Sequence, residues 1–410
     1  MIYGTVDRNI SRTKYQKTQI LFSMKTQNKL RSLFLLDSQI TYLNHGSFGA
    51  CPIPIFENLQ MWQKLLEKHP VKFFEKDIIE NIYNAQRSLS QFINCSPDDI
   101  VFFLNPTTAI NEIIRSMNLK KADEILSSDH EYGALDKAWE FICKKTGAKY
   151  IKAHIPLPIQ SKESFINSFT SSITKKTKAI FLSHMTSSTG LLFPINEIVK
   201  LAKKQNILTI IDGAHIPGHI PLDLDSLGAD IYTGTCHKWL LAPKGVSFLY
   251  VDKKIQNQID PLVVSWGYDN PDEVRTRFQD HHLWQGTRDM SPYLTIPETI
   301  KFREKYHWDA VSRKCKEMVL DVREEIHSIV DMDPIVQDDP KDWLGQMCSF
   351  GIPNAVEDNQ KIKDELINRY RIEIPVIEWK DHLYMRISLN GYNDENDVDR
   401  FLEVLKIIYK

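Results

Sequence analysis

The sequence predicts an α/β protein built on a mainly parallel sheet flanked by helices, with a smaller α+β domain in its C-terminal quarter. Three observations carry this expectation. Short β-branched or aromatic runs alternate with longer helical patterns over most of the 410 residues. Those runs are nearly continuous in apolar residues, as strands buried on both faces are, and they end where polar residues begin. After about residue 300 the texture changes to one long helical stretch, short strands and a final helix.

Taken in order, DIVFFLN (99–105) is a strand leading into a helix over TTAINEIIRSM (107–117), and DEILSS (123–128) leads into ALDKAWEFICKKTG (134–147). KAIFLSHM (178–185) precedes a helix over INEIVKLAKKQN (195–206); ILTIID (207–212) follows that helix, and ADIYTGT (229–235) comes next. The stretch 295–329 reads as one long helix, and ENDVDRFLEVLKIIYK (395–410) as the last. Residues 1–24 read as a mobile extension, polar with scattered charge and lacking a secretory apolar region and cleavage site, with Met24 as an alternative start. Residues 25–55 are expected to pack with the small domain, residues 56–298 to form the large domain, and residues 299–410 the small one.

Composition narrows the function. Hydrophobic content of 42% and charged content of 25% suit a soluble globular chain, and no run approaches the roughly 18 uninterrupted apolar residues of a membrane span. A net charge of −2 with both signs interspersed argues against nucleic acid as a partner. Six cysteines without a CxxC pair or a short Cys/His cluster argue against a disulfide scaffold and a structural zinc site, and fit reduced thiols in a cytoplasmic protein.

Chemistry concentrates where strands end, which is where ligands of such sheets bind. Thr107 and Thr108 lie at the start of a helix, where free N–H groups suit a phosphate; taken alone, they read more readily as helix caps than as a phosphate site. Asp212 ends a wholly apolar strand, and a carboxylate there needs a cationic or hydrogen-bonding partner. His215 follows three residues on. Lys238 stands one strand later in GTCHKWLLAPKG (234–245), preceded by Thr235 and His237. Pyridoxal 5′-phosphate uses this whole set: a phosphate for the helix start and hydroxyls, a ring nitrogen for a carboxylate, and an aldehyde for a lysine Schiff base.

The motifs YLNHGSFGACP, NPTTAIN, DHEYGA, DGAHIPGH, GTCHKWLLAPKG, WQGTRD and RISLNGYNDENDVDR together resemble the isopenicillin N epimerase-like branch of the class V aminotransferases, from about residue 33 onward. The resemblance implies the pyridoxal-phosphate-dependent fold type I, with a seven-stranded type of sheet. It makes Lys238 the Schiff-base lysine, Asp212 the partner of the ring nitrogen, His215 the partner of the phenolic oxygen, and Tyr132 the residue stacked on the ring, with His130 as a rival. It assigns Thr107, Thr108, Thr235 and His237 to the phosphate and implies a homodimer in which Thr287 reaches the neighbouring subunit's phosphate. Arg386 matches the arginine that clamps the substrate α-carboxylate, and Asn44 and His45 fall near the substrate mouth.

The implied chemistry takes place at the α-carbon of an amino acid or peptide-like amine. Epimerisation or racemisation is the expected outcome, with β-elimination at carbon–sulfur bonds or transamination as alternatives and a non-catalytic cofactor-binding protein as a remote one. Desulfuration through a cysteine persulfide is disfavoured, because no cysteine lies shortly before Arg386; Cys348 is 38 residues upstream, and Cys236 reads as a small strand residue. Arg275 and Arg277 either recognise a distal carboxylate or form a solvated basic segment.

Overall fold

The computed structural model describes residues 30–269 and 275–410. The extension expected over residues 1–24 lies outside the described residues. Chain order gives β1 (Thr41–Tyr42), β2 (Ile100–Phe103), β3 (Glu124–Ser128), β4 (Lys149–Ala153), β5 (Thr177–Ser183), β6 (Leu208–Gly213), β7 (Ile231–Thr235) and β8 (Ser247–Val251). Strands β2 to β8 form one seven-stranded sheet in the order β2-β8-β7-β6-β5-β3-β4, in which only β8 runs against its neighbours. This is the α/β, mainly parallel architecture of fold type I that the sequence predicts.

The sheet is buried on both sides, and its strands show why their sequences look uniformly apolar. In β5, Ala179 and Phe181 face one core while Ile180 and Leu182 face the other. The helices α1 (Pro106–Ser116) and α2 (Gly133–Thr146) cover the first face through Ile110, Ile113, Leu135 and Trp139; α3 (Ile195–Lys204) covers the second through Ile195, Ile198, Val199 and Ala202. Helix α2 stops at Gly147, whose φ of 79° is left-handed and accommodates glycine at no steric cost.

Downstream, α4 (Ile296–Lys305) and α5 (Trp308–Val330) occupy the stretch read as one helix. The break falls at His307, with φ 50°, and it lets Trp308 turn into an aromatic cluster with Phe34 and Phe302. Strands β9 (Met347–Ile352), β11 (Val376–Trp379) and β12 (His382–Ser388) form an antiparallel sheet in the order β11-β12-β9, with α5 and α6 (Glu395–Tyr409) packed beside it. The short β10 (Ile372–Glu373) pairs in parallel with β1, and Leu30, Phe34, Tyr42 and Ala50 pack with Trp308 and Tyr392. No helix among the described residues is long and apolar enough to cross a membrane.

After the turn His45–Phe48 the chain crosses the backbone of residues 237–238. Gly49 has φ +67°, and a Cβ there would sit 2.3 Å from the His237 carbonyl oxygen and 2.9 Å from Lys238 Cα. Gly49→Ala is therefore expected to cost about 1–3 kcal/mol of unfolding free energy. A urea midpoint equal to that of the unaltered protein would show that these two segments do not meet.

Candidate active site

A cavity of about 630 Å³ opens outside the carboxyl ends of the parallel strands, and most of the sequence-predicted residues line it. Asp212 and His215 come from the end of β6; Thr235, His237 and Lys238 from the end of β7; Thr107 and Thr108 from the start of α1 after β2. Tyr132 enters from the N-terminus of α2, and Arg386 from the middle of β12.

Lys238 is the electrostatic centre. Burial, together with the Arg386 charge, lowers its amine to about 7, against a smaller opposing pull from Asp212. Burial likewise raises Asp212 to about 6, offset by the Ala214 N–H, which donates to Oδ1 at 3.0 Å, and by Lys238. His215 lies beside the lysine, its Nε2 3.2 Å from Lys238 Nζ, and burial drives its pKa well below the ordinary histidine value. The ring is therefore neutral at physiological pH.

Arg386 is buried, and burial lowers its guanidinium to about 10. One Nη donates to the Ser187 carbonyl at 2.5 Å and the other to Ser47 Oγ at 3.0 Å, while Nε is buried without a protein partner. A buried guanidinium with a donor to spare suits a carboxylate. At the opposite wall, the cap of α1 is Asn105 rather than either threonine: its Oδ1 accepts from the Thr108 N–H at 2.8 Å and the Thr108 hydroxyl at 3.0 Å. The His237 Nδ1–H donates to the Val246 carbonyl at 3.1 Å, so Nε2 is the nitrogen left for a ligand. Burial holds this ring at about 4, and an anion at Nε2 would favour its protonated form.

The structure does not bring every candidate to the cavity. His45 is buried behind Lys238, with Nδ1 2.8 Å from the Tyr392 hydroxyl and Nε2 3.1 Å from the Lys238 carbonyl, and Asn44 accepts from the Ser47 hydroxyl. Ser47 and Phe48, from the same motif, line the cavity instead, because the helical turn His45–Phe48 rotates them outward. His130 is fully buried, hydrogen-bonded to Thr189 and to the Ile155 carbonyl, whereas Tyr132 is 48% exposed on the cavity wall. Thr287 is exposed and outside this cavity, in the segment after the helix Arg277–Leu283. Arg275 lies over the Tyr83 ring and donates to Gln86 and the Ile79 carbonyl, while Arg277 pairs with Asp269; neither lines the site. None of the six cysteines lines it, and Cys348 is buried on β9 with its thiol raised to about 12 by burial.

Several contributors escaped the sequence reading. Ser47 and Ser187 hold the Arg386 fork, and Asn105 caps α1. Glu131 accepts from the Ser128 hydroxyl at 2.6 Å and the Ser183 N–H at 2.9 Å; burial raises it to about 8, so it stays protonated and spares Asp212 a neighbouring anion at neutral pH. Only Asn105, standing just before a Pro-Thr-Thr helix start, carried a readable signal.

Residues 67–401 match the family model for aminotransferase class V. The chain is 32% identical to the isopenicillin N epimerase of Amycolatopsis lactamdurans over 92% of its own length and 96% of that protein's. It is 26% identical to a probable chloroplastic L-cysteine desulfhydrase of Arabidopsis thaliana, over 98% and 90% of the two chains. Among solved structures it resembles the cystine C–S lyase C-DES, seen as a mutant with glycine covalently linked to the PLP cofactor, at a TM-score of 0.79 and 20% identity over 92% and 98% of the chains.

Asn105→Ala removes the acceptor shared by both donors of Thr108. It is expected to cost about 1 kcal/mol of stability through loss of the cap, read from a urea midpoint.

Proposed function

Because the chain belongs to the class V aminotransferase family, we propose that it takes pyridoxal 5′-phosphate, the cofactor of the C-DES neighbour, and that it is an epimerase or racemase acting at the α-carbon of an amino acid or a peptide-like amine. The bound cofactor supplies an electron sink that acidifies the Cα–H of the joined amine. The residues present fit it: a low-pKa buried lysine, a buried carboxylate in need of a cation, and hydroxyls beside a helix N-terminus.

In this reading Lys238 binds the cofactor aldehyde, Asp212 its ring nitrogen, His215 its phenolic oxygen, and Tyr132 covers a ring face. Thr107, Thr108, Thr235 and His237 hold the phosphate. Lys238 Nζ, as a free amine, would take the α-proton, which it can do above its pKa of about 7. Arg386 orients the α-carboxylate with two parallel donors. We take residues 56–298 as the cofactor-binding domain and residues 299–410 as the small one, and the enzyme as a cytoplasmic homodimer in which the exposed Thr287 of each subunit serves the neighbouring site.

The observation that carries this reading is the joining of Lys238, Asp212 and Arg386 in one cavity whose wall has no cysteine. The relative named isopenicillin N epimerase supports inversion at Cα. The relative named L-cysteine desulfhydrase supports a second reading, β-elimination with carbon–sulfur cleavage on the same residues; transamination would use them too.

A screen of amino acids in deuterated water separates the three. An epimerase yields α-deuterated product of inverted configuration, a lyase yields pyruvate with a thiol or sulfide, and an aminotransferase yields a keto acid with pyridoxamine phosphate. Loss of the α-proton in none of the amino acids tried would reject the proposal.

Arg386→Ala is expected to raise KM roughly 10- to 100-fold, the worth of about 1.5–3 kcal/mol for a hydrogen bond to a charged group, while cofactor absorbance persists. Protonation of Lys238 removes the base, so the rate should rise with pH through an acid limb near 7. Lys238→Ala should end α-proton exchange, checked by the solvent-deuterium signal.

A further inference from the structure

Directly after Lys238 stands Trp239, a residue that no role above uses. Its side chain is 1% exposed, and its indole Nε1 lies 3.3 Å from His215 Nδ1. An indole N–H can only donate, so His215 Nδ1 must accept, and in a neutral imidazole the proton then resides on Nε2. That Nε2 lies 3.2 Å from Lys238 Nζ. Two hydrogen bonds thus run in one direction, from Trp239 to His215 and from His215 to Lys238.

The indole is held in place from both sides. His219 stacks on it with ring centroids 3.9 Å apart and planes 22° from parallel, and His45 packs 4.8 Å away at 55°. His219 is itself fixed, its Nδ1–H donating to the His215 carbonyl at 2.9 Å and its Nε2 accepting from the Gln346 N–H.

We propose that Trp239 is a positioning residue: by donating to His215 Nδ1 it locks His215 as the Nε2–H tautomer, so that His215 offers Lys238 a donor and never an acceptor. An ammonium at Lys238 would meet that donor head-on, whereas a free amine meets it with a lone pair. Trp239 therefore favours the uncharged form of the lysine, the form that can attack a carbonyl or take a proton. With the cofactor in place, the same tautomer offers its N–H to the phenolic oxygen. The other charged groups facing Lys238 are Arg386, which also disfavours the ammonium, and Asp212, which favours it; His45 and His219 are neutral and engaged as described.

This inference rests on the reading of the cavity as a pyridoxal phosphate site, but its test does not depend on cofactor binding. Without the indole N–H, His215 can shift its proton to Nδ1 and accept from a Lys238 ammonium. In Trp239→Phe the Lys238 pKa should rise by about one unit, the worth of one hydrogen bond. Competitive acetylation of the cofactor-free full-length chain across neutral and alkaline pH, followed by mass spectrometry of the Lys238 peptide, reads that midpoint directly. At a fixed pH on the acid side, labelling of Lys238 should fall about tenfold. In the loaded enzyme, the acid limb of the pH–rate profile should move upward by the same amount.

A residue that merely fills space would lower the rate at every pH and leave both midpoints in place, and that result overturns the proposal. Should Trp239→Phe fold poorly, benzothienylalanine at position 239 keeps the shape and lacks only the N–H, and its midpoint decides. A chain that stays colourless with added cofactor would reject the pyridoxal phosphate reading while leaving the acetylation result to judge Trp239.

Discussion

Desolvation of the Lys238 amine is the constraint around which the site is organised. A buried ammonium is costly unless a carboxylate pairs with it, and here, among the described residues, Asp212 is the anion that pulls the pKa upward, while Arg386 adds a second positive charge. The fold keeps the balance on the basic side in two further ways. Glu131, a further carboxylate close to Asp212, is protonated at neutral pH because burial raises it to about 8, against the downward pull of the hydrogen bonds donated by Ser128 and Ser183. His215 is kept neutral by burial and by its cationic neighbours. Among the residues lining the cavity Asp212 is the one anion set against Lys238 and Arg386, so a phosphate together with a substrate carboxylate would add negative charge where cationic groups prevail.

That chemistry is held by a sheet whose strand ends converge. Loops leaving β2, β3, β5, β6 and β7 each contribute to one wall, and the opposite wall is closed by residues far away in sequence. Arg386 shows how firmly the two sides are tied: its fork spans Ser187 on a loop of the large sheet and Ser47 in the N-terminal turn, while Gly46 N–H donates to Ser388 Oγ two residues along β12. The guanidinium is thus a keystone between three chain segments as well as a candidate ligand for substrate.

Much of this was legible because desolvation leaves marks in sequence. Strands buried on both faces read as continuous apolar runs, and a lone aspartate at the end of one is conspicuous. Two strands of the large sheet carried weaker marks. β4, with the sequence KYIKA, is an edge strand whose lysines face solvent, and β8 follows the Pro-Lys-Gly turn so closely that it merges with the lysine motif. The long helical pattern after residue 295 hid its own break, since left-handed His307 is required by the packing of Trp308 and not by any local breaker. Ser47, Ser187 and Glu131 were not legible, because their meaning lies in partners distant in the chain. The placement of His45 at a substrate mouth failed to foresee a helical turn that exchanges the histidine for Ser47 and Phe48 on the cavity wall.

The spread of the site along the chain has a consequence for biosynthesis. Its wall draws on Ser47 near one end and Arg386 near the other, with the strand-end loops between. While β12 is still inside the ribosome, a nascent chain can hold the sheet and its strand-end residues but not Arg386, so the wall that this guanidinium ties together closes only after β12 has emerged. Completion of the wall therefore waits on the docking of β12, while the strand-end residues can assemble before it.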